Sequence, residues 1–192
     1  MRRCAFLLLM LSAASVFAQG KVSRPIDPKA STLKWTGHAE VGTYAPSGSL
    51  AVREGQVTLQ DGAFSGANLV VDMNSMSQDN SDLLHHLKSA DFFDVDHYPT
   101  ATIKIDKVEN GTVFGTMTIK GKTAPFQSPV KVSEANNSFT ITGKVTLDRT
   151  KYGIVYNSSS FFSGLGNQAI RNTFEVEFML TGNGSIPDKY RN

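Results

Sequence analysis

The sequence predicts an all-β fold, an antiparallel β-barrel of about eight strands with one short helical insertion at residues 79–93. Three observations lead there. Short segments along most of the chain alternate apolar and polar residues with a period of two, the spacing of a pleated strand that is wet on one side. Glycine, asparagine, aspartate and proline fall between these segments and leave only short connections. Helical periodicity is confined to a single stretch, so no second layer of helices is available to cover an open sheet.

Residues 1–18 begin Met1-Arg2-Arg3, continue with an apolar run over residues 5–11 and end on Val16-Phe17-Ala18, the layout of a secretory signal peptide cleaved after Ala18. That run is shorter than the roughly 20 residues that span a bilayer, so no transmembrane segment is expected in the mature chain. Cys4 is the only cysteine and leaves with the peptide, and the exported protein has no disulfide to staple it. Stability must then come from one hydrophobic core, which a chain of this length can bury as a single domain. Without Arg2 and Arg3 the chain keeps 17 basic side chains against 17 acidic ones, a balance that argues against nucleic acid as a partner.

A polar leader over residues 19–30 is expected to precede the barrel domain, residues 31–182, with a C-terminal tail over residues 183–192. Within the domain, Ala67, Leu69, Val71 and Met73 share a face opposite Asn68, Val70 and Asp72. Ala101, Ile103 and Ile105 oppose Thr102, Lys104 and Asp106, and Val113, Gly115, Met117 and Ile119 interleave with Phe114, Thr116 and Thr118. Phe139, Ile141, Gly143, Val145 and Leu147 form another inward set, and Phe174, Val176, Phe178 and Leu180 the last. Turns are expected at Pro46-Ser47-Gly48, Gln60-Asp61-Gly62, Glu109-Asn110-Gly111, Lys120-Gly121-Lys122 and Glu134-Ala135-Asn136-Asn137. Periodicity does not choose between a barrel and a sandwich. Gly115 and Gly143 favour the barrel, because both sit on the apolar phase, where a missing side chain eases sharp coiling and leaves interior room.

The exception to the strand pattern is the insertion. Leu83, Leu84 and Leu87 fall on one side of a helix that Asn80 or Ser81 can cap. A further turn from Ser89 would bury Phe92 and Phe93, and Pro99 restores extended chain. The whole reads as a plug over one end of the barrel.

Each candidate for chemistry meets a simpler explanation. His85, His86 and His97 lie near Asp91, Asp94 and Asp96, with donor atoms enough for zinc or calcium. Adjacent helical residues point about 100° apart, however, and cannot share an ion as residues four apart can. The acidic run lacks the glycine and the distant glutamate of a calcium loop. Gly164-Leu165-Gly166-Asn167-Gln168-Ala169 fits the letters of a dinucleotide fingerprint, yet no βαβ unit surrounds it. No Gly-x-Ser-x-Gly elbow is present, and no Ser, His and Asp combination has a hydrolase's spacing. The expectation is no catalytic residue, no cofactor and no metal. What remains is apolar surface: Trp35 and 12 phenylalanines, of which only Phe6 and Phe17 lie in the expected signal peptide. A barrel of about eight strands is near the size at which the interior is filled or holds one small ligand.

Five segments resemble the YceI-like family, in that family's order. They are Ser31-Thr32-Leu33-Lys34-Trp35-Thr36-Gly37; residues 57–73; His86-Leu87-Lys88-Ser89 with Asp91-Phe92-Phe93 and Tyr98-Pro99-Thr100-Ala101; residues 115–121; and Asp148-Arg149-Thr150-Lys151-Tyr152-Gly153-Ile154 with Tyr156 and Ser158. The chain departs from the family at Tyr44, where many members carry a histidine nearby, and at Arg171-Asn172, where an acidic residue is frequent. Both departures fall where a barrel mouth would meet a ligand's polar head. The resemblance implies a lipocalin-like barrel, periplasmic or secreted, whose apolar bore binds, sequesters or transports a long-chain isoprenoid or fatty amphiphile. The positions expected to line the bore are Trp35, Leu69, Val71, Ile103, Ile105, Met117, Phe139, Ile141, Val145, Phe174 and Phe178, with Phe92 and Phe93 closing one end. Two alternatives stay open: a barrel with a filled core, monomer or homodimer, acting as an interaction or structural module, and a metal-binding protein using His85, His86 or His97.

Overall fold

The computed structural model describes residues 20–61 and 63–184, so the expected signal peptide, residues 1–18, and residues 185–192 of the expected tail lie outside the described residues. Among the described residues the order is β1 (Lys21–Pro25), β2 (Thr32–Thr36), β3 (Ser47–Gln60), β4 (Ala63–Ser77), α1 (Ser81–Lys88), β5 (Thr100–Glu109), β6 (Thr112–Ile119), β7 (Lys122–Ala135), β8 (Ser138–Asp148) and β9 (Thr173–Asn183). Strands β2 to β9 pair with their neighbours around a ring that β2–β9 and β3–β4 complete, and β1 is an extra strand beside β3. The result is a closed antiparallel barrel of eight strands plus one.

Closure depends on β3. Its first residues, Ser47 to Leu50, pair with β2, while Gln56 to Gln60 pair with β1 along the same edge. Its other edge runs against β4 with register shifts at Ser49/Ala51, Val52/Glu54 and Thr58/Leu59, the bulges that bend a strand around a barrel. Between β1 and β2 the chain dips inward at Ile26, which bridges to Gly182 and is buried. The segment read as a polar leader, residues 19–30, thus adds a strand and a core residue. Its alternation is invisible because β1 is wet on both faces.

Three of the expected hairpin turns form as two-residue loops with both φ angles positive: 47° and 71° at Asn110-Gly111, 49° and 69° at Lys120-Gly121, and 51° and 58° at Asn136-Asn137, while Gly62 of the turn expected at Gln60-Asp61-Gly62 lies outside the described residues. That geometry matches the right-handed twist of the flanking strands. The turn expected at Pro46-Ser47-Gly48 lies instead at the start of β3, and the chain reverses within residues 37–46. Gly48 is needed in the strand: it faces Trp35 on β2, and a Cβ there would come within 2.8 Å of the indole ring.

Gly143 and Gly182 repeat the device. They face Phe178 and Phe139 across the β8–β9 ladder, and a Cβ would meet those rings at 2.5 and 2.3 Å. The room that Gly143 leaves is therefore occupied by an aromatic ring rather than kept open, the cross-strand pairing by which a ring covers a glycine. Gly115 leaves no room either, since a Cβ would lie 1.9 Å from the Lys104 carbonyl oxygen, beside the β5–β6 register shift.

The two ends differ. The short β3–β4, β5–β6 and β7–β8 connections gather at one end, where Phe139, Val113, Phe64 and Leu59 are buried in a solid layer. Residues 37–46, the helical insertion and residues 149–172 gather at the other. Toward that second end β7 and β8 part company after the Val130–Gly143 pair. Pro125 and Pro129 stand in the half of β7 that pairs only with β6, where a missing N–H leaves no ladder incomplete. Ser128 Oγ reaches the Lys144 carbonyl at 3.2 Å, and a 3-10 turn at Arg149–Tyr152 packs against β7 to cover the gap.

The Phe139–Gly182 pairing yields a test. Gly182→Ala should lower stability by about 1–3 kcal/mol through overpacking. In a Phe139→Leu background the cost should fall only in part, because the ring is gone but the Pro25 carbonyl oxygen, 2.4 Å from the added Cβ, remains. Urea unfolding of the four proteins measures the coupling, and equal costs in both backgrounds would refute the pairing.

Candidate ligand-binding cavity

Inside the barrel lies a cavity of about 360 Å³, within the roughly 300–1,000 Å³ typical of small-molecule sites. Its wall is hydrocarbon along most of its length. Ile26, Val57, Phe64, Val113, Val130 and Leu180 border it at the solid end, and Tyr44, Asn167 and Gln168 border it at the other, where they are exposed to solvent. Several wall residues point inward yet are only half-buried, among them Ile103, Ile105, Phe126, Phe174, Val176 and Phe178. Inward apolar side chains that retain exposure mark an interior their neighbours do not fill.

Of the positions expected from the sequence, Trp35, Leu69, Val71, Phe92, Phe93, Ile103, Ile105, Met117, Ile141, Val145, Phe174 and Phe178 border the cavity. Phe139 does not. Alternation along β8 assigns it inward correctly, but alternation carries no information about height along the barrel, and Phe139 belongs to the solid end over Gly182. Leu33, Leu50, Ala67 and Phe126 also line the space. Leu33 and Ala67 have the parity of Trp35 and Leu69, a signal present in the sequence. Phe126 sits between the prolines of β7, which obscure its strand.

The helical insertion builds one wall. Asn80 caps α1 by accepting a hydrogen bond from the Leu83 amide at 3.0 Å. Leu83 and Leu87, one turn apart, reach the cavity with Phe92 and Phe93. Two lysines pin the segment to the barrel: Lys88 Nζ donates to the Asn74 carbonyl at 2.8 Å, and Lys120 Nζ to the Ala90 carbonyl at 2.6 Å. Phe93 meets Phe174 edge-on, with ring centroids 6.3 Å apart.

The histidines are dispersed. His86 is wedged between Phe92 and Tyr156, its centroid 5.2 and 4.6 Å from theirs. His85 is exposed, and His97 pairs with Asp94 at 2.8 Å, which holds its imidazole above the ordinary value. Among the described residues no group of three or more histidine, cysteine or acidic side chains could hold a metal ion. The dinucleotide-like letters at residues 164–169 belong to a loop with a 3-10 turn at Gly166–Gln168, and Asn167, Gln168 and Ala169 form part of the cavity rim.

The polar group that sequence reasoning missed is Arg149. It is 4% exposed and borders the cavity. Its Nε donates to the Arg171 carbonyl at 3.0 Å, Nη1 to Ile154 at 2.9 Å and Nη2 to Ile170 at 3.0 Å, while the guanidinium lies 5.9 Å from the Phe92 ring centroid. Burial pulls its pKa below the ordinary arginine value, and Asp148 partly opposes that. The three carbonyls belong to both ends of the loop after β8, so Arg149 clasps that loop shut. Only the Asp148-Arg149 motif pointed at this residue, and no periodicity marks a buried cation.

Two segments frame the open end and are sewn together. The Ala39 amide bonds to the Tyr44 carbonyl at 2.9 Å, Glu40 to Ala169 at 2.8 Å and Arg171 to His38 at 3.0 Å. His38 also lies 3.9 Å from Glu175, whose carboxylate is held below its usual range by the Lys144 hydrogen bond on the outer wall.

The model of the YceI-like domain matches residues 25–181. No curated protein matches the chain. Among solved structures, Burkholderia cenocepacia BcnA superposes with a TM-score of 0.66 at 18% identity, covering 81% of this chain and 98% of that one. A polyisoprenoid binding domain from Saccharophagus degradans, implicated in plant cell wall breakdown, gives 0.64 at 14% identity over 88% and 100% of the two chains. The Campylobacter jejuni YceI protein gives 0.50 at 15% identity over 94% and 92%. At these identities the likeness is one of fold.

Arg149→Lys should lower stability by about 2–4 kcal/mol, because an ammonium cannot satisfy three carbonyls held in the guanidinium's plane. Urea unfolding checks the magnitude. His86→Phe should keep the ring contacts and cost less than about 1 kcal/mol, whereas His86→Ala should cost about 1–3 kcal/mol. A His86→Phe protein as damaged as His86→Ala would show that the imidazole does more than pack.

Proposed function

The chain belongs to the YceI-like family, and on that footing we propose that the mature protein is an exported, periplasmic carrier, with residues 1–18 removed on export, that holds a long-chain isoprenoid or similar amphiphile in its barrel. The observation that carries this reading is the unfilled hydrocarbon-walled cavity of about 360 Å³ reaching the surface at one end. The tail lies along the bore toward Phe64 and Leu180, and the polar head stays among His38, Asn167, Gln168 and Arg171. The role proposed is binding, which the apolar wall supports. Among the described residues no helix is long and apolar enough to cross a membrane.

The energetics favour breadth in the tail. Each methylene taken from water is worth roughly 0.8 kcal/mol, so an isoprene unit offers about 3 to 4 kcal/mol in gross terms. A few units would reach the practical ceiling of about 18–21 kcal/mol for any non-covalent complex, so much of that gain must be offset by ordering the chain. Apolar contact is non-directional, which leaves discrimination to the mouth.

Native mass spectrometry of protein purified from its own exporting cell, followed by organic extraction, tests the proposal directly. A long-chain amphiphile should be present, and its consistent absence would overturn the reading. A filling substitution separates carriage from folding. Ile103→Trp should abolish uptake of such a lipid while changing stability by no more than about 1 kcal/mol, since the added ring enters empty space rather than a packed core. Undiminished uptake by a folded Ile103→Trp protein would place the ligand elsewhere.

A further inference from the structure

Seven large apolar side chains stand exposed among the described residues: Val22, Val41, Tyr44, Tyr98, Phe161, Phe162 and Met179. Four of them, Val41, Tyr44, Phe161 and Phe162, lie on the two segments that frame the cavity mouth, with 57%, 62%, 58% and 48% of their surface open. Scattered exposed apolar residues need no explanation, but a cluster at one functional opening does.

The backbone that presents them is held in place. The Phe161 and Phe162 amides both donate to the Ser158 carbonyl, at 3.0 and 2.9 Å. Ser158 Oγ donates to Asn172 Oδ1 at 2.6 Å, and Asn172 Nδ2 to Ser160 Oγ at 2.8 Å. The loops stand clear of the barrel, since a Cβ at Gly42, Gly164 or Gly166 would meet nothing within 4 Å. Tyr44 both borders the cavity and faces solvent, so it links the bore to the outside. Charge is sparse: residues 37–46 contain one acidic side chain, Glu40, and residues 149–172 three basic ones, the buried Arg149 with Lys151 and Arg171. Serine, glycine and asparagine fill much of the remainder.

We propose that these loop tips dock on a phospholipid bilayer, seating the cavity mouth against the membrane so that the lipid passes between bilayer and bore without crossing water. The proposal rests on the carrier reading. A long hydrocarbon that left through solvent would expose every methylene it has, and that barrier disappears if the mouth opens directly onto the acyl layer. Phenylalanine pairs and an amphipathic tyrosine are suited to the boundary between headgroups and chains. A rim with so few charged side chains enters that boundary while stripping water from few ions. Attachment should therefore depend on apolar contact rather than on charge, and survive salt that screens ionic attraction.

Co-sedimentation with vesicles of pure phosphatidylcholine, at low and at high salt, is the test. The wild-type protein should bind in both, and a Phe161→Ser, Phe162→Ser double variant at least about tenfold more weakly. Neither phenylalanine borders the cavity, so the variant should take up parinaric acid from dilute solution as the wild type does. As a second reading that needs no loss of function, Phe161→Trp should add a component whose emission shifts to the blue on vesicles, measured against the Trp35 signal of the wild type on the same vesicles. Failure of the wild type to bind, equal binding by the double variant, or binding only to anionic vesicles at low salt overturns the proposal. So does concentration-dependent self-association that the double variant loses, if vesicles do not bind, because the patch is then covered by a second copy. Loss of parinaric acid uptake in both proteins with vesicle binding intact would instead defeat the carrier reading.

Discussion

Closure of the sheet is the constraint from which the rest follows. Once β3 has paired with β2 on one side and β4 on the other, the ring of strands is complete apart from the half of β7 that pairs only with β6, and every second side chain must point into a common interior. The diameter is then set by strand number and stagger, not by how much side chain is available to fill it. Filling is local. At one end Phe139 over Gly182, with Phe64 and Val113, makes a solid layer; farther along, Ile103, Ile105 and Phe174 line a space they do not fill. The cavity is a consequence of closing a sheet of this size around side chains of this length.

Closure also gives the molecule a polarity. Two-residue turns suffice at the solid end, because hairpin neighbours need only reverse direction. The long connections are left to the other end, where they must cover apolar rims without strands of their own. Arg149 resolves part of that problem by satisfying three loop carbonyls with one planar group, at the cost of placing a cation in a hydrocarbon wall. The carbonyl dipoles and the face of Phe92 compensate it without a buried carboxylate. The same loops, so anchored, hold phenylalanines in solvent that a loosely tethered loop would fold inward.

A site of this kind works by exclusion rather than by recognition. Its energy is distributed over many weak contacts and little of it depends on direction, which suits a flexible hydrocarbon and sets few demands on any single residue. Direction enters only at the rim, where His38, Asn167, Gln168 and Arg171 offer hydrogen-bonding groups. On the proposed carrier reading, tail and head would meet different physics in different parts of the barrel.

Alternation and turn residues alone determined that the chain is a set of antiparallel strands around one helical insertion, and they assigned most inward faces correctly, since period two is local and needs no knowledge of partners. They missed β1, which has no buried face, and marked β7 only by the turns at its two ends, its alternation being interrupted by prolines that are tolerated because half of that strand lacks a second neighbour. They misplaced the turn at Gly48, which lies in a strand where the Ser77 carbonyl and the Trp35 ring leave no room for a Cβ. The height of Phe139 along the barrel, the burial of Arg149 and the meeting of residues 37–46 with residues 169–171 were decided only by the closed sheet. Each depends on register between segments distant in sequence, and register is a property of the pairing, not of either strand by itself.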